Sequence, residues 1–350
     1  MKQSLATIVS VSLVIVAGVA WHRNQLEFSV AAQESGKTSK VPATVKPDAA
    51  SRRSSETELD RPYPVWFVDE IVSRLTTSAE SLIEKKQTRN SEDLRKDLER
   101  TSFSLTLPRP STKELSPQEL YRRATDSVFL IAGLTKPSDS DPAWKTAFST
   151  AFVVHEDGIL ATSAHVFDHE DRDHAVVVMD SQRRVFPIVE LLAVDRHADT
   201  CFFRTSAKGL KPLPLATDLP PGTPIRVMGH PGDSFFFFSA GLIANYERDE
   251  EGHVWMNVTA DFGQGSSGGP VMDTFGNVVG QVSRTYTLYA SGQSSGRRRR
   301  RQMLAVRQTA DADLKVENAS VEDSESKKEA DPQMVFKACT PISAIRALVK

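Results

Sequence analysis

A chain of 350 residues is long enough for two average domains, or for one domain with appendages. Its 43 Lys and Arg balance 45 Asp and Glu, so a formal charge of −2 gives no global footprint for nucleic acid binding. Hydrophobic residues make up 39%, as for a globular core diluted by polar tails, and two distant cysteines exclude a disulfide framework or a cysteine-rich metal cluster.

Lys2 precedes an uncharged apolar run, Leu5–Trp21, that ends in small residues at Ala17–Ala20. As a helix it would span about 25 Å at 1.5 Å per residue, slightly short for a bilayer core. It reads either as a signal peptide within residues 1–30 or as an uncleaved anchor, a membrane tether. Both readings send the chain out of the cytoplasm, to a periplasmic or envelope location, or to secretion. Residues 31–64 are rich in Ser, Lys, Thr and Pro without apolar periodicity, which predicts a disordered linker. A helical extension over 65–112 follows. Phe67, Val68, Ile71, Val72, Leu75, Ala79, Leu82 and Ile83 recur at three- and four-residue steps, one face of an amphipathic helix. A second helix is expected near Ser91, with Glu92 and Asp93 in its first turn and Leu94 and Leu98 on one side. The pair can dock on the main domain or support self-association.

Leu115-Ser116-Pro117-Gln118-Glu119-Leu120 is a helix start: Ser116 caps, Pro117 takes the first position and Glu119 completes a capping box. Beyond it, short apolar runs alternate with Gly, Pro and Asp turns: Ser127–Ile131, Ala151–Val154, Ala175–Met179, Phe186–Val194, Thr200–Phe203, Ile225–Met228, Val254–Val258 and Val278–Gly280. This spacing predicts an all-β fold of sandwiches or barrels over 113–350.

Within that region, Asp261-Phe262-Gly263-Gln264-Gly265-Ser266-Ser267-Gly268-Gly269-Pro270 surrounds one hydroxyl with small residues. Glycine packs nothing and costs conformational entropy, so the segment makes sense where backbone N–H groups approach a ligand closely. The Gly265 and Ser267 amides can converge on one oxygen beside the Ser267 hydroxyl, as an oxyanion hole requires. A serine nucleophile needs a base, and the base an orienting acid. Among eight histidines, His165 stands at the exit of an apolar strand that ends in small residues, Gly158–Ala164; the others lie mostly in polar turns, where solvation is expected. Asp199 immediately precedes the strand Thr200–Phe203, so its carboxylate suits a buried orienting role better than Asp195 in the turn. A zinc site from His165, Asp168, His169 and His174 lacks the H-E-x-x-H pattern and is not expected. No metal or organic cofactor is anticipated.

The order His165, Asp199, Ser267 resembles the chymotrypsin-like serine peptidases, and most closely the bacterial HtrA/Deg-type branch. The matching pieces are Phe152–Val166, Ala198-Asp199-Thr200, Gly229-His230-Pro231-Gly232, Gly265–Pro270 and Ala338–Ser343. The resemblance implies two six-stranded antiparallel β-barrels with the active site between them. It also implies a serine endopeptidase of exported or envelope proteins: Ser267 attacks, His165 carries the proton, Asp199 orients His165, and Gly265 and Ser267 form the hole. The chain departs from the pattern at Ser149-Thr150-Ala151-Phe152, where G-S-G-F is usual, and at Ser266, where Asn or Asp is commoner, and it is expected to lack the branch's C-terminal PDZ domain. The two cysteines, Cys201 and Cys339, are left unassigned as to pairing.

Asp261 stands six residues before Ser267, the offset at which the trypsin branch places the acidic floor of its specificity pocket. That position favours cleavage after Arg or Lys; the alternatives are a capped turn and a preference for small apolar residues. Gln281 and Ser283 are further candidate substrate-binding residues. A polar insertion is expected over about 285–333, containing Arg297–Arg301, a solvated loop, an anionic-surface binder or a self-cleavage site. The rival function is an inactive or latent protease-fold binding protein. A lipase-type hydrolase is disfavoured, because it wants G-x-S-x-G and an acid after the serine.

Overall fold

The computed structural model describes residues 64–136, 144–168, 174–289 and 332–350. The apolar run Leu5–Trp21, the linker up to Tyr63, His169 and the arginine run Arg297–Arg301 lie outside them. Among the described residues no helix is long and apolar enough to cross a membrane.

Twelve strands close into two antiparallel barrels. The first holds β1 (Val128–Thr135), β2 (Lys145–His155), β3 (Ile159–Thr162), β4 (Ala175–Met179), β5 (Val185–Asp195) and β6 (Thr200–Thr205), in the order β1-β2-β3-β6-β5-β4. The second holds β7 (Pro224–Gly229), β8 (Phe237–Arg248), β9 (Val254–Val258), β10 (Pro270–Met272), β11 (Val278–Tyr289) and β12 (Pro332–Pro341), in the order β10-β11-β12-β9-β8-β7. This is the chymotrypsin-like architecture.

Strand β1 shows why the apolar runs are continuous rather than alternating. Phe129 and Ile131 point into the first barrel with Val153, Leu160, Val178, Leu191 and Phe203. Val128, Leu130, Ala132 and Leu134 point the other way, into a second cluster that also takes Met228, Met272 and Ile345. With both faces of the pleat covered, no position is left for a polar residue. The second barrel has its own interior, built on Ile225, Val227, Ile243, Met256, Val271 and Cys339.

The amphipathic stretch forms helix α1 (Val68–Glu84), with Asp69 and Glu70 placed favourably in its first turn. Ile71, Leu75 and Ala79 are buried in the same cluster as β1. Helix α2 (Ser91–Arg95) starts as expected; Asn90 caps it by accepting from the Asp93 N–H at 2.7 Å. The rest of the extension is not helical. Phe103 pairs with Val349 in an isolated parallel bridge, tying the extension to the C-terminal residues. Helix α3 (Pro117–Ser127) carries both arms of the Ser116–Glu119 capping box. A last short helix, α4 (Ile342–Arg346), follows β12 directly.

Two boundaries differ from expectation. Strand β8 was not read in the sequence, because Ile243 is its single buried residue and no apolar alternation marks it. The insertion is narrower than 285–333: β11 runs on to Tyr289 and β12 starts at Pro332, and Tyr286 stacks on Phe336 with centroids 4.8 Å apart.

Candidate active site

The Gly/Ser segment is a tight loop leading into β10, and its glycines are required by geometry. Gly268 has φ +85, and a Cβ there would lie 2.2 Å from the Thr150 carbonyl oxygen. Gly265 has φ +92, and a Cβ there would lie 2.3 Å from the His230 carbonyl oxygen. Both values lie in the left-handed region that side chains avoid.

Strand β2 holds this loop through Thr150, which is fully buried. The Thr150 N–H donates to the Ser267 carbonyl at 2.9 Å, and its hydroxyl donates to the Gly265 carbonyl at 2.8 Å. The same hydroxyl accepts from the His230 N–H at 3.2 Å, while the Thr162 hydroxyl donates to the Thr150 carbonyl at 2.7 Å. The Gly265 and Ser267 carbonyls are therefore turned inward and committed. Their N–H groups donate to no group among the described residues. Ser266 is buried; its N–H donates to the Gly263 carbonyl at 3.0 Å, closing the turn before Ser267. The Ser267 hydroxyl donates to the Ser283 carbonyl at 3.4 Å.

His165 lies in a single 3-10 turn, Ala164–Phe167, just after β3. Its Nδ1 is 2.9 Å from both oxygens of Asp199, and its backbone N–H donates to Oδ1 at 3.0 Å. Asp199 has φ +52, a conformation that aspartate tolerates and that turns the carboxylate back toward the ring. Burial pushes this carboxyl up. The His165 ring bond and charge, the Ser283 hydroxyl and the His165 N–H outweigh it and hold the pKa below the ordinary value. The carboxylate thus accepts from three directions, which fixes the imidazole tautomer with Nδ1–H toward the acid.

Gln281 and Ser283 belong behind this pair rather than on an open surface. The Ser283 hydroxyl donates to Asp199 Oδ2. Gln281 is fully buried, and its amide donates to the Asp199 carbonyl at 3.2 Å. A side chain with no accessible surface cannot line a substrate subsite, so the expectation for Gln281 is corrected. The Thr340 hydroxyl of β12 holds the same loop by donating to the Ala198 carbonyl at 2.6 Å. Asp261 is exposed, and its carbonyl accepts from the Ser239 hydroxyl at 2.6 Å.

His230 overturns the expectation of a solvated turn histidine. It is completely buried beside Phe235 and Phe236, and its Nδ1 accepts from the Phe236 N–H at 3.1 Å. Burial lowers its pKa to about 3, so the ring is neutral. Sequence reasoning missed Thr150, Ser283 and His230 as supports because hydroxyls and imidazoles in short strands carry no local signature of a distant partner.

Of the residues weighed as zinc ligands, those among the described residues have other partners. Asp168 pairs with Arg196 at 3.0 Å, and His174 accepts from the Lys136 N–H at 3.3 Å. Asp249, Glu251 and His253 bring ligand atoms within 4.8 Å of one another at the tip between β8 and β9. The Asp249 carboxylate there already accepts from the His253 N–H at 2.7 Å and from Trp255 Nε1 at 2.7 Å. Cys201 and Cys339 are both free and buried, and burial raises both thiols.

Residues 149–280 match the family described as the trypsin-like peptidase domain. The chain is 28% identical over 144 residues to serine protease HTRA1 of Xenopus tropicalis, covering 38% of this chain and 30% of that protein. It is 26% identical over 148 residues to a probable periplasmic serine endoprotease, DegP-like, of Halomonas elongata, covering 41% and 30%. It thus spans about 30% of the length of these curated relatives. Among solved structures, the serine endoprotease from Yersinia pestis matches at 20% identity and TM-score 0.39, covering 49% of this chain and 58% of that one.

Proposed function

We propose that this protein is a serine endopeptidase of the chymotrypsin-like, HtrA type acting on protein or peptide substrates, a reading supported by the match of residues 149–280 to the trypsin-like peptidase domain and by the similarity to HtrA- and DegP-like proteases. The observation that carries the proposal is the bidentate His165–Asp199 contact at 2.9 Å beside an uncommitted pair of amides.

Ser267 Oγ attacks the carbonyl carbon of the scissile bond while His165 Nε2 accepts its proton. Asp199 keeps the imidazole in the required tautomer and stabilises the imidazolium that forms. The developing oxyanion takes hydrogen bonds from the Gly265 and Ser267 N–H groups, each such donor contributing about 3 kcal/mol to transition-state stabilisation. Collapse breaks the C–N bond; His165 returns the proton to the departing amine, leaving an acyl group on Ser267. Water, deprotonated by His165, then hydrolyses that ester and regenerates the serine. The site of action is exported or envelope protein; the periplasmic relative and the run Leu5–Trp21 support this location.

Labelling of the full chain with a fluorophosphonate probe, combined with hydrolysis of a peptide library, tests the reading. The expected result is labelling of wild type and none of Ser267→Ala or His165→Ala. Asp199→Asn is expected to lower kcat by about 10⁴-fold. A folded wild type that takes no label, or label retained in Ser267→Ala, overturns it.

A further inference from the structure

The segment before the nucleophile packs against a cation that the sequence did not bring to notice. Lys337 of β12 is half-buried; its Nζ donates to the Phe262 carbonyl and lies 5.2 Å from the centroid of the Phe262 ring. Lys337 is in register with Thr285 of β11, two residues past Ser283, whose carbonyl accepts from the Ser267 hydroxyl. Burial lowers the pKa of Lys337, and the charge of Asp261 offsets this only in part. Asp261 is exposed and screened by water, whereas Lys337 is partly withdrawn from it. An ammonium has three donors, and one carbonyl and one ring face leave it short of strong acceptors.

A substrate carbonyl held by the Gly265 and Ser267 amides places its own residue beside the 261–265 segment. Lys337 touches both sides of this region: it reaches the segment through the Phe262 carbonyl and the Ser283–Thr285 stretch through its pairing with Thr285. On the peptidase reading above, we infer that Lys337 is a specificity-determining residue, and that the protein cleaves after acidic residues. A carboxylate arriving there accepts a charge-assisted hydrogen bond from Nζ. An arginine or lysine side chain meets a fixed like charge instead, despite Asp261, which counts against the trypsin-like preference that the Asp261 offset suggested.

Peptide-library cleavage by the full chain tests this, with fluorophosphonate labelling run in parallel on every variant. Wild type is expected to cleave after Glu or Asp at least about tenfold faster in kcat/KM than after Ala or Lys. Lys337→Met keeps the apolar stem and is expected to lose that preference while still taking the label. Lys337→Arg is expected to retain it, and Lys337→Glu to shift cleavage toward Arg and Lys. Labelled wild type that cleaves after basic or small apolar residues, with a profile unchanged in Lys337→Met, overturns the inference and leaves the peptidase reading standing. Wild type that is folded but takes no label overturns both.

Discussion

Asp199 and His230 are both enclosed by protein, and they resolve the conflict between burial and charge in opposite ways. Asp199 stays ionised because the His165 ring and N–H and the Ser283 hydroxyl all donate to it. His230 stays neutral, with Nδ1 used as an acceptor and its pKa held at about 3. An unfolded histidine takes its proton near pH 6.5, so the unfolded state binds the proton first. The stability that His230 contributes is therefore complete above about pH 6.5 and is lost as pH falls toward 3. Urea unfolding of wild type and His230→Gln across this range is the check, since glutamine can still accept from the Phe236 N–H. The variant is expected to lose a slope of up to about 1.4 kcal/mol per pH unit. Parallel pH profiles for the two proteins would show that His230 takes no part in the acid response.

Among the elements, β2 has the largest part in shaping the candidate site, through one hydroxyl. Thr150 serves the Gly265 carbonyl and the His230 N–H together, and so links the loop around Ser267 to the end of β7, the first strand of the second barrel. Thr150→Val keeps the shape and leaves both buried backbone groups without that partner. It is expected to cost about 1–3 kcal/mol in urea unfolding, and to slow fluorophosphonate labelling of Ser267. Thr150→Ser is expected to restore both, because serine supplies the same hydroxyl. Equal stability and labelling in Thr150→Val would mean that the loop is held by the Thr150 backbone alone. The start of helix α3 was readable to the residue, since both arms of its capping box lie within one turn of sequence. Strand β8 was not, because its place is set by pairing with β7 and β9 and not by burial of its own side chains.

At the scale of the described unit, Pro64–Lys350, the extension is part of the core and not an appendage. Leu75 of α1 is fully buried in the cluster that covers the outer face of β1. Leu75→Ala is expected to destabilise the protein by about 2–5 kcal/mol while thermal unfolding remains a single transition. An unchanged melting temperature would show that α1 does not pack there in solution. This arrangement also explains why β1 could be recognised as a strand but not as one buried on both faces. The sequence displays the apolar run, while the residues that share a cluster with its second face, from Ile71 of α1 to Met228, Met272 and Ile345, lie far from it along the chain.

The sequence by itself determined the features whose physics is local: the amphipathic period of α1, the capping box of α3, the run of short strands, and the glycines that surround Ser267. It also singled out His165 and Asp199, because a polar residue at the end of an apolar strand is conspicuous in one dimension. Only the tertiary structure decided what stands behind and beside them. Ser283 and Gln281 reach Asp199 from β11, Thr340 holds its loop from β12, and Lys337 comes to the Phe262 carbonyl from beyond the long insertion. Each of these contacts closes across a barrel or between separated strands. Their partners are chosen by register and closure, which a strand's own residues do not encode.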